Sequence, residues 1–448
     1  MTLGRNIGVS IFNMGLQRAM DFVSVLVVTT LVVRSLSRQE YGMLSLVMSY
    51  GLIFNMLNVS VSAILIRDYQ KLKGRMDEYM QAFLLFSFIK SGLALLLSAV
   101  IGCFLYRHYH SMAMLLVLLL TTVTTVLLYV AEPLSVLLSV RFQQPALTKI
   151  NLVASLANML LSAGAILVPT ALFVSAKNAV VSLIVLALTV AYAGFRFRSA
   201  GAPVGPGRLR LVKECFVGFS VWSHLSGIMT DIIYRADLLI LGWLGTPFRA
   251  MGNYNVALQM ANFAKLLPQI MQYNCSLGLS HREDPRQRDE MTFLFIKYSF
   301  LLSLATLVGY GLFGRWGIQL IAGSDVDHIY ALGFYMVGGL CLFNTFRPFI
   351  SYGSVVHDIR ECFLFAMVPS TVVALACYGV MGYRWGADGM AKANLVAGLA
   401  MSIFMLLYIH TRTSFRWRIA LVTEMERALF ARVWSKRAAS GPVEMPVP

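Results

Sequence analysis

Twelve times in 448 residues the chain runs through an apolar stretch long enough to cross a bilayer, with short polar connections between. About 18 to 20 such residues make one membrane-spanning helix. Backbone groups in hydrocarbon must bond within their own segment or a closed barrel, and stretches of this length satisfy that rule as helices. Helices are expected at about 7–33, 41–66, 81–106, 111–131, 148–169, 172–194, 215–243, 253–279, 291–313, 328–351, 363–383 and 386–410. The fold class that follows is an all-α polytopic membrane protein, with twelve transmembrane helices in two six-helix bundles. Hydrophobic residues make up 58% of the chain and charged ones 13%, which excludes a soluble domain of this size. The first apolar segment is too long for a cleavable signal and is expected to stay as a helix.

Polar residues inside these helices fall in stripes. Asn255, Gln259, Asn262, Lys265, Gln269, Gln272 and Ser276 recur every three or four residues and so share one helical face. Asn6, Ser10, Asn13, Gln17, Asp21 and Ser24 do the same in the first helix, and shorter stripes mark the second (Ser45, Asn55, Asn58, Ser62) and seventh (Ser220, His224, Gly227, Asp231, Arg235). A wet stripe on an otherwise apolar helix lines a cavity, so helices 1, 2, 7 and 8 are expected to wall a central one.

The connection 195–213, rich in Gly, Pro and Arg and free of acids, separates an N-terminal bundle (1–194) from a C-terminal bundle (214–410). Residues 411–448 form a basic tail, and Phe415 to Arg437 is amphipathic, as expected of a helix lying on an anionic leaflet. With the N-terminus in the cytoplasm, 23 Lys and Arg fall inside and seven outside, the bias of a chain with both termini cytoplasmic. The net charge of +16 is therefore largely topological. A nucleic-acid reading would need a soluble basic domain.

Seven basic residues remain within the spans: Arg18, Lys90, Arg235, Lys265, Lys297, Arg347 and Lys392. Each costs about 2.5 to 3.5 kcal/mol at the bilayer centre on insertion scales, which calls for a reason. Asp21 is placed to pair with Arg18, and Asp231 with Arg235, on their own helices. Lys90 and Lys297 could instead snorkel from near a helix end. Lys265 sits on a wet stripe, where an unpaired cation suits an anionic substrate. Asp21, Glu132, Asp231 and Asp237 are candidates for proton or sodium coupling, or for counter-ions of the arginines. No cofactor or metal is expected. The six Cys lack metal-ligand spacing and read as small apolar residues.

The halves echo one another. An offset of 210 residues brings Asp21 onto Asp231 and Gly42 onto Gly252; offsets of 207 and 215 bring Lys90 onto Lys297 and Glu132-Pro133 onto Arg347-Pro348. Six spans per half make the repeats parallel, related by an axis along the membrane normal.

The segments VRSLSRQEYG (Val33 to Gly42) and ADLLILGWLGTPFRAMGNYNVA (Ala236 to Ala257) resemble the polysaccharide transporter branch of the multidrug/oligosaccharidyl-lipid/polysaccharide flippase superfamily, which includes O-antigen flippases of the Wzx type. The resemblance implies a flippase, not an enzyme. It would move a polyprenyl-pyrophosphate-linked oligosaccharide from the cytoplasmic to the outer leaflet of a bacterial inner membrane by alternating access. A polysaccharide polymerase and chain-length proteins are the partners implied. Arg18, Arg235 and Lys265 match the family's cationic cavity in type and location. They are expected to hold the pyrophosphate, with Lys90, Lys297, Arg347 and Lys392 as helpers and Asn255, Gln259 and Asn262 facing sugar hydroxyls. Lipid II flippases of the superfamily carry two further helices for the lipid tail, and this chain has no room for them.

The nearest rival is a cation-coupled multidrug exporter of the same superfamily, in which buried acids bind organic cations; here intramembrane bases outnumber acids. A membrane glycosyltransferase would need a larger soluble loop, and a scaffold would have no use for wet stripes. The G-x-G-x-x-G run at Gly309 to Gly314 lies in an apolar span without a preceding strand, so helix packing is its expected role. The sequons at Asn58 and Asn274 lie within spans, out of a transferase's reach.

Overall fold

The computed structural model describes residues 3–58, 76–140, 143–194, 219–263, 268, 271–272, 275–276, 279 and 284–415. The expected linker 195–213 and nearly all of the 411–448 tail lie outside them. The helices are α1 (Leu3–Ser35), α2 (Arg38–Ser49), α3 (Gly51–Leu57), α4 (Met76–Tyr109), α5 (Met112–Val140), α6 (Gln144–Ala163), α7 (Ala171–Gly194), α8 (Phe219–Trp243), α9 (Phe248–Phe263), α10 (Pro285–Ala322), α11 (Val326–Phe346), α12 (Pro348–Val355), α13 (Ile359–Cys362) and α14 (Val368–Arg412). Seven stretches among the described residues are long and apolar enough to span a membrane, one of them running through α13 and α14. The protein is an all-α polytopic membrane protein.

Local chemistry sets the helix ends. The Ser37 hydroxyl accepts from the Glu40 N–H at 3.1 Å to start α2, and the Glu40 carboxylate accepts from the Ala171 N–H at 2.9 Å, tying down the start of α7. Helix α10 opens on an Asp284 cap with Pro285 behind it and closes on Gly323, whose φ of 71° places it in the left-handed region. The G-x-G-x-x-G run lies inside this helix. At Gly386 (φ 56°, ψ −134°) α14 turns sharply, between the two spans expected at 363–383 and 386–410.

Two expected spans are interrupted. The 41–66 helix is divided at Tyr50, and α3 ends at Leu57, capped by Asn58, whose φ of −85° and ψ of 70° are not helical. Its side-chain oxygen accepts from the Lys90 ammonium at 2.6 Å, a contact between helices that a local pattern does not register. The 328–351 span divides into α11 and α12 at Arg347-Pro348, where proline supplies no N–H.

In the first half α1 packs on α6, α5 on both α4 and α7, and α6 on α7; in the second α11 packs on α9, α10 and α14, and α8 on α14. The halves meet where α2 packs on α9 and α8, and where α1 packs on α10. The α2–α9 crossing is a backbone-to-backbone contact. A Cβ on Gly42 would collide with the carbonyl oxygen of Phe248, and one on Gly252 with that of Arg38. A turn further on, the Asn255 amide donates to the Ser45 hydroxyl at 2.6 Å. Arg38 and Phe248, Gly42 and Gly252, and Ser45 and Asn255 each stand 210 positions apart. The contact is thus isologous, each half offering the same patch to the other, and the pseudo-two-fold axis passes through it. Small residues at the crossing let two helices approach where lipid gives no hydrophobic drive. Arg38 adds to this end of the seam by donating to Ala322 O at 2.7 Å and Ser324 Oγ at 3.3 Å.

Candidate functional site

Below the α2–α9 crossing lies a polar cavity of about 520 Å³. Ser45, Met48 and Ser49 of α2, Thr230, Asp231, Tyr234, Arg235 and Leu238 of α8, Leu258 and the amides Asn255, Gln259 and Asn262 of α9, and Arg347 at the α11–α12 break line it. Two cations and one carboxylate face a wall of amides and hydroxyls. In a space with low-dielectric walls such groups substitute for the hydration of a charged and hydroxyl-rich solute.

Arg347 is held from several sides. Its Nε donates to the Gln272 side-chain oxygen and its Nη1 to the Tyr234 hydroxyl at 3.5 Å, while the guanidinium lies 5.7 Å from the Phe343 ring centroid. Gln272 is itself fixed, because Ser351 donates to its backbone oxygen at 3.1 Å and Ser276 donates to Ser351 at 2.8 Å. A guanidinium braced this way keeps free N–H groups for a ligand without losing further side-chain freedom. Arg235 is exposed to the cavity. Among the described residues no ion pair joins it to Asp231, although both line the cavity.

The other predicted residues are placed differently. Lys90 is 1% exposed and stands apart from the cavity. Its ammonium donates to Asn58 at 2.6 Å, pairs with Glu132 at 3.3 Å and sits 4.8 Å from the Tyr129 ring centroid. Burial this deep excludes the snorkelling alternative, and the partner sequence spacing did not supply comes from α5. Lys297 is half-buried against Tyr298, and Lys392 is exposed between Tyr335 and Trp385; neither lines the cavity. Lys265 lies outside the described residues, as does the Arg18 side chain. Asp21 is half-buried on α1. Ser24, on the same stripe, donates to Ser155 O at 3.5 Å and so faces α6 within its own half. Among the described residues α1 contributes nothing to the cavity wall, and the fourth wall comes from Arg347.

Asp237 is fully buried behind the cavity. It accepts from the Tyr254 hydroxyl at 2.5 Å, the Asn394 amide at 3.1 Å and the Leu238 N–H at 2.8 Å, and Tyr378 joins the network through Asn394 at 3.1 Å. This joins α8, α9 and α14. Lys177 is 4% exposed, with its ammonium donating to Asn158 at 2.7 Å and Ser162 at 3.0 Å. Tyr234 was missed, although it lies three residues beyond Asp231 on the same stripe; an aromatic ring on an apolar helix hides its hydroxyl from a polarity pattern.

Lys90 and Glu132 support a stability prediction. Lys90→Met breaks the ion pair with Glu132 and the hydrogen bond to Asn58 and is expected to cost about 3 kcal/mol. Thermal unfolding of the purified variant checks this.

A family model described as "Polysaccharide biosynthesis protein" matches residues 31–330. The chain belongs to that family. The match takes in α2, α8 and α9, which carry most of the cavity wall. No curated protein matches the chain in sequence. Among solved structures, the fold of this polysaccharide biosynthesis protein is shared with a lipid II flippase, MurJ, in an inward closed conformation (TM-score 0.65, 13% identity, 90% of this chain and 87% of that one). It is also shared with multidrug resistance transporters of the MATE family and MOP superfamily, one inward-facing (0.63, 13%, 90% and 100%) and one outward-facing (0.66, 12%, 91% and 94%). At these identities the likeness concerns architecture alone.

Proposed function

We propose that the protein is a flippase that carries a polyprenyl-pyrophosphate-linked oligosaccharide, such as an O-antigen or exopolysaccharide repeat unit, from the cytoplasmic to the outer leaflet of a bacterial inner membrane. The observation that carries this reading is the convergence of Arg235 and Arg347 with Asn255, Gln259 and Asn262 on one cavity at the seam between the halves. Two guanidiniums suit a pyrophosphate and the amides suit sugar hydroxyls; neither part of such a head group can cross hydrocarbon unaided. The polysaccharide biosynthesis family and the MOP fold agree with it. In this reading the halves 1–194 and 214–410 rock about the seam, the α2–α9 crossing closing one face of the cavity, and both termini lie in the cytoplasm.

Export of surface polysaccharide in a strain depending on this protein tests the proposal. Arg235→Ala is expected to lower export about tenfold at normal protein level, the worth of one charge-assisted contact, with Arg235→Lys retaining part of it. The competing multidrug exporter predicts the opposite sign: removing a cation from the cavity would help an organic cation bind. Purified protein that moves a cationic dye across liposomes and ignores lipid-linked sugars would decide for the exporter.

A further inference from the structure

A second, apolar groove of about 410 Å³ lies against the same seam. Its floor is Tyr50 and Ile101, 3% and 7% exposed, and its rims are Val100 and Phe104 of α4 and Trp243 of α8, which are 50% to 61% exposed. Ile53 of α3 completes it. Surface of this kind on a membrane-spanning bundle meets hydrocarbon. The polar groups gather at one end: the Tyr109 hydroxyl donates to Gly242 O at 2.9 Å, joining α4 to α8, and the His108 ring stands 4.6 Å from that of Tyr109. The same end abuts the α2–α9 crossing, since the Tyr109 and Phe248 rings are 5.3 Å apart. Tyr, Trp and His at one end and aliphatic residues along the rest grade the groove from headgroup depth into the bilayer.

The groove and the polar cavity share α8 and meet at the α2–α3 break. Ser49 lines the cavity and its neighbour Tyr50 the groove; Leu238 lines the cavity and Gly242, one turn along α8, the groove. We propose that the groove holds the hydrocarbon tail of the lipid-linked substrate while its pyrophosphate head occupies the cavity. This rests on the flippase reading, and it gives the tail a path beside the head-group cavity. A prenyl chain tied to a head in the cavity must leave it sideways, and the α3–α4–α8 groove is an apolar surface adjoining that wall. Because α3 and α4 belong to one half and α8 to the other, the tail would stay in contact with both. A comparable lipid-facing groove of about 440 Å³, between α4 and α5 around Leu95 and Leu116, lies wholly within one half and provides a control.

The test uses the full protein in phospholipid vesicles with a long-chain polyprenyl pyrophosphate bearing a diazirine in its tail. Photolysis is expected to label peptides containing Ile53, Val100 or Phe104, with competition by unlabelled polyprenyl pyrophosphate and not by phosphatidylglycerol. Ile53→Trp and Val100→Trp, which fill the groove, are expected to weaken probe binding about tenfold, and Leu116→Trp to leave it unchanged. Geranyl pyrophosphate, whose short tail needs little of the groove, reports on the head site: its binding should survive Val100→Trp and fail in Arg347→Ala. Label competed equally by phosphatidylglycerol, or insensitive to both tryptophans while geranyl pyrophosphate still binds, overturns the groove and leaves the flippase reading standing. Failure of wild-type protein to bind geranyl pyrophosphate overturns both.

Discussion

Arg347→Ala is expected to reduce export of surface polysaccharide about a hundredfold, because it removes a charge-assisted contact, at about 1.5 to 3 kcal/mol, and leaves the bracing groups without their guanidinium. Gln272, Tyr234 and the Phe343 ring all converge on this one side chain, so its position is set before any ligand arrives. Arg347→Lys keeps the charge and loses the planar fork, and export should fall between wild type and alanine. The fold should tolerate either change, since the side chain is half-buried and borders open space. Measuring export together with the unfolding temperature separates the two effects: a large fall in export with an unchanged melting point is the expected pair. Unchanged export in Arg347→Ala at normal protein level would remove this residue from the site.

The second large effect is expected at the α2–α9 crossing. Gly252→Val puts a branched side chain against the Arg38 carbonyl oxygen, and Gly42→Val against that of Phe248. Backbone atoms cannot rotate out of the way, so the helices must separate and the Ser45–Asn255 hydrogen bond at 2.6 Å must break. Overpacking of this kind typically costs about 1 to 3 kcal/mol. Because the crossing closes the cavity in the proposed cycle, transport is expected to be lost in both variants. Cysteines at Ser45 and Asn255 offer a direct readout: they should cross-link in the parent protein and fail to do so when Gly252→Val is added. Efficient cross-linking in the presence of the valine would show that the crossing absorbs the added bulk.

How much of this was legible beforehand differs from residue to residue. The polar stripe through Asn255, Gln259 and Asn262 follows from period alone, and these side chains share one wall. The offset of 210 was visible in Gly42 and Gly252, and the same offset relates residues that touch across the axis. Arg347 stood out only as one intramembrane cation among seven. No local pattern showed that Lys90 pairs with Glu132 while Arg347 lines the cavity. The offsets of 207 and 215 would set Lys297 and Arg347 opposite Lys90 and Glu132, with the charge reversed at the second position alone.

Hydrophobic length and polar period therefore determined that this chain is a helical membrane protein built on a repeat with a wet interior. Those properties depend on each segment's own transfer energy and on a helix having 3.6 residues per turn, quantities a linear sequence carries in full. Which cations stay open and which are consumed by partners such as Glu132 or Asn158 were decided by tertiary structure. They depend on contacts between helices distant in sequence, where a few ångströms separate an ion pair from a binding site.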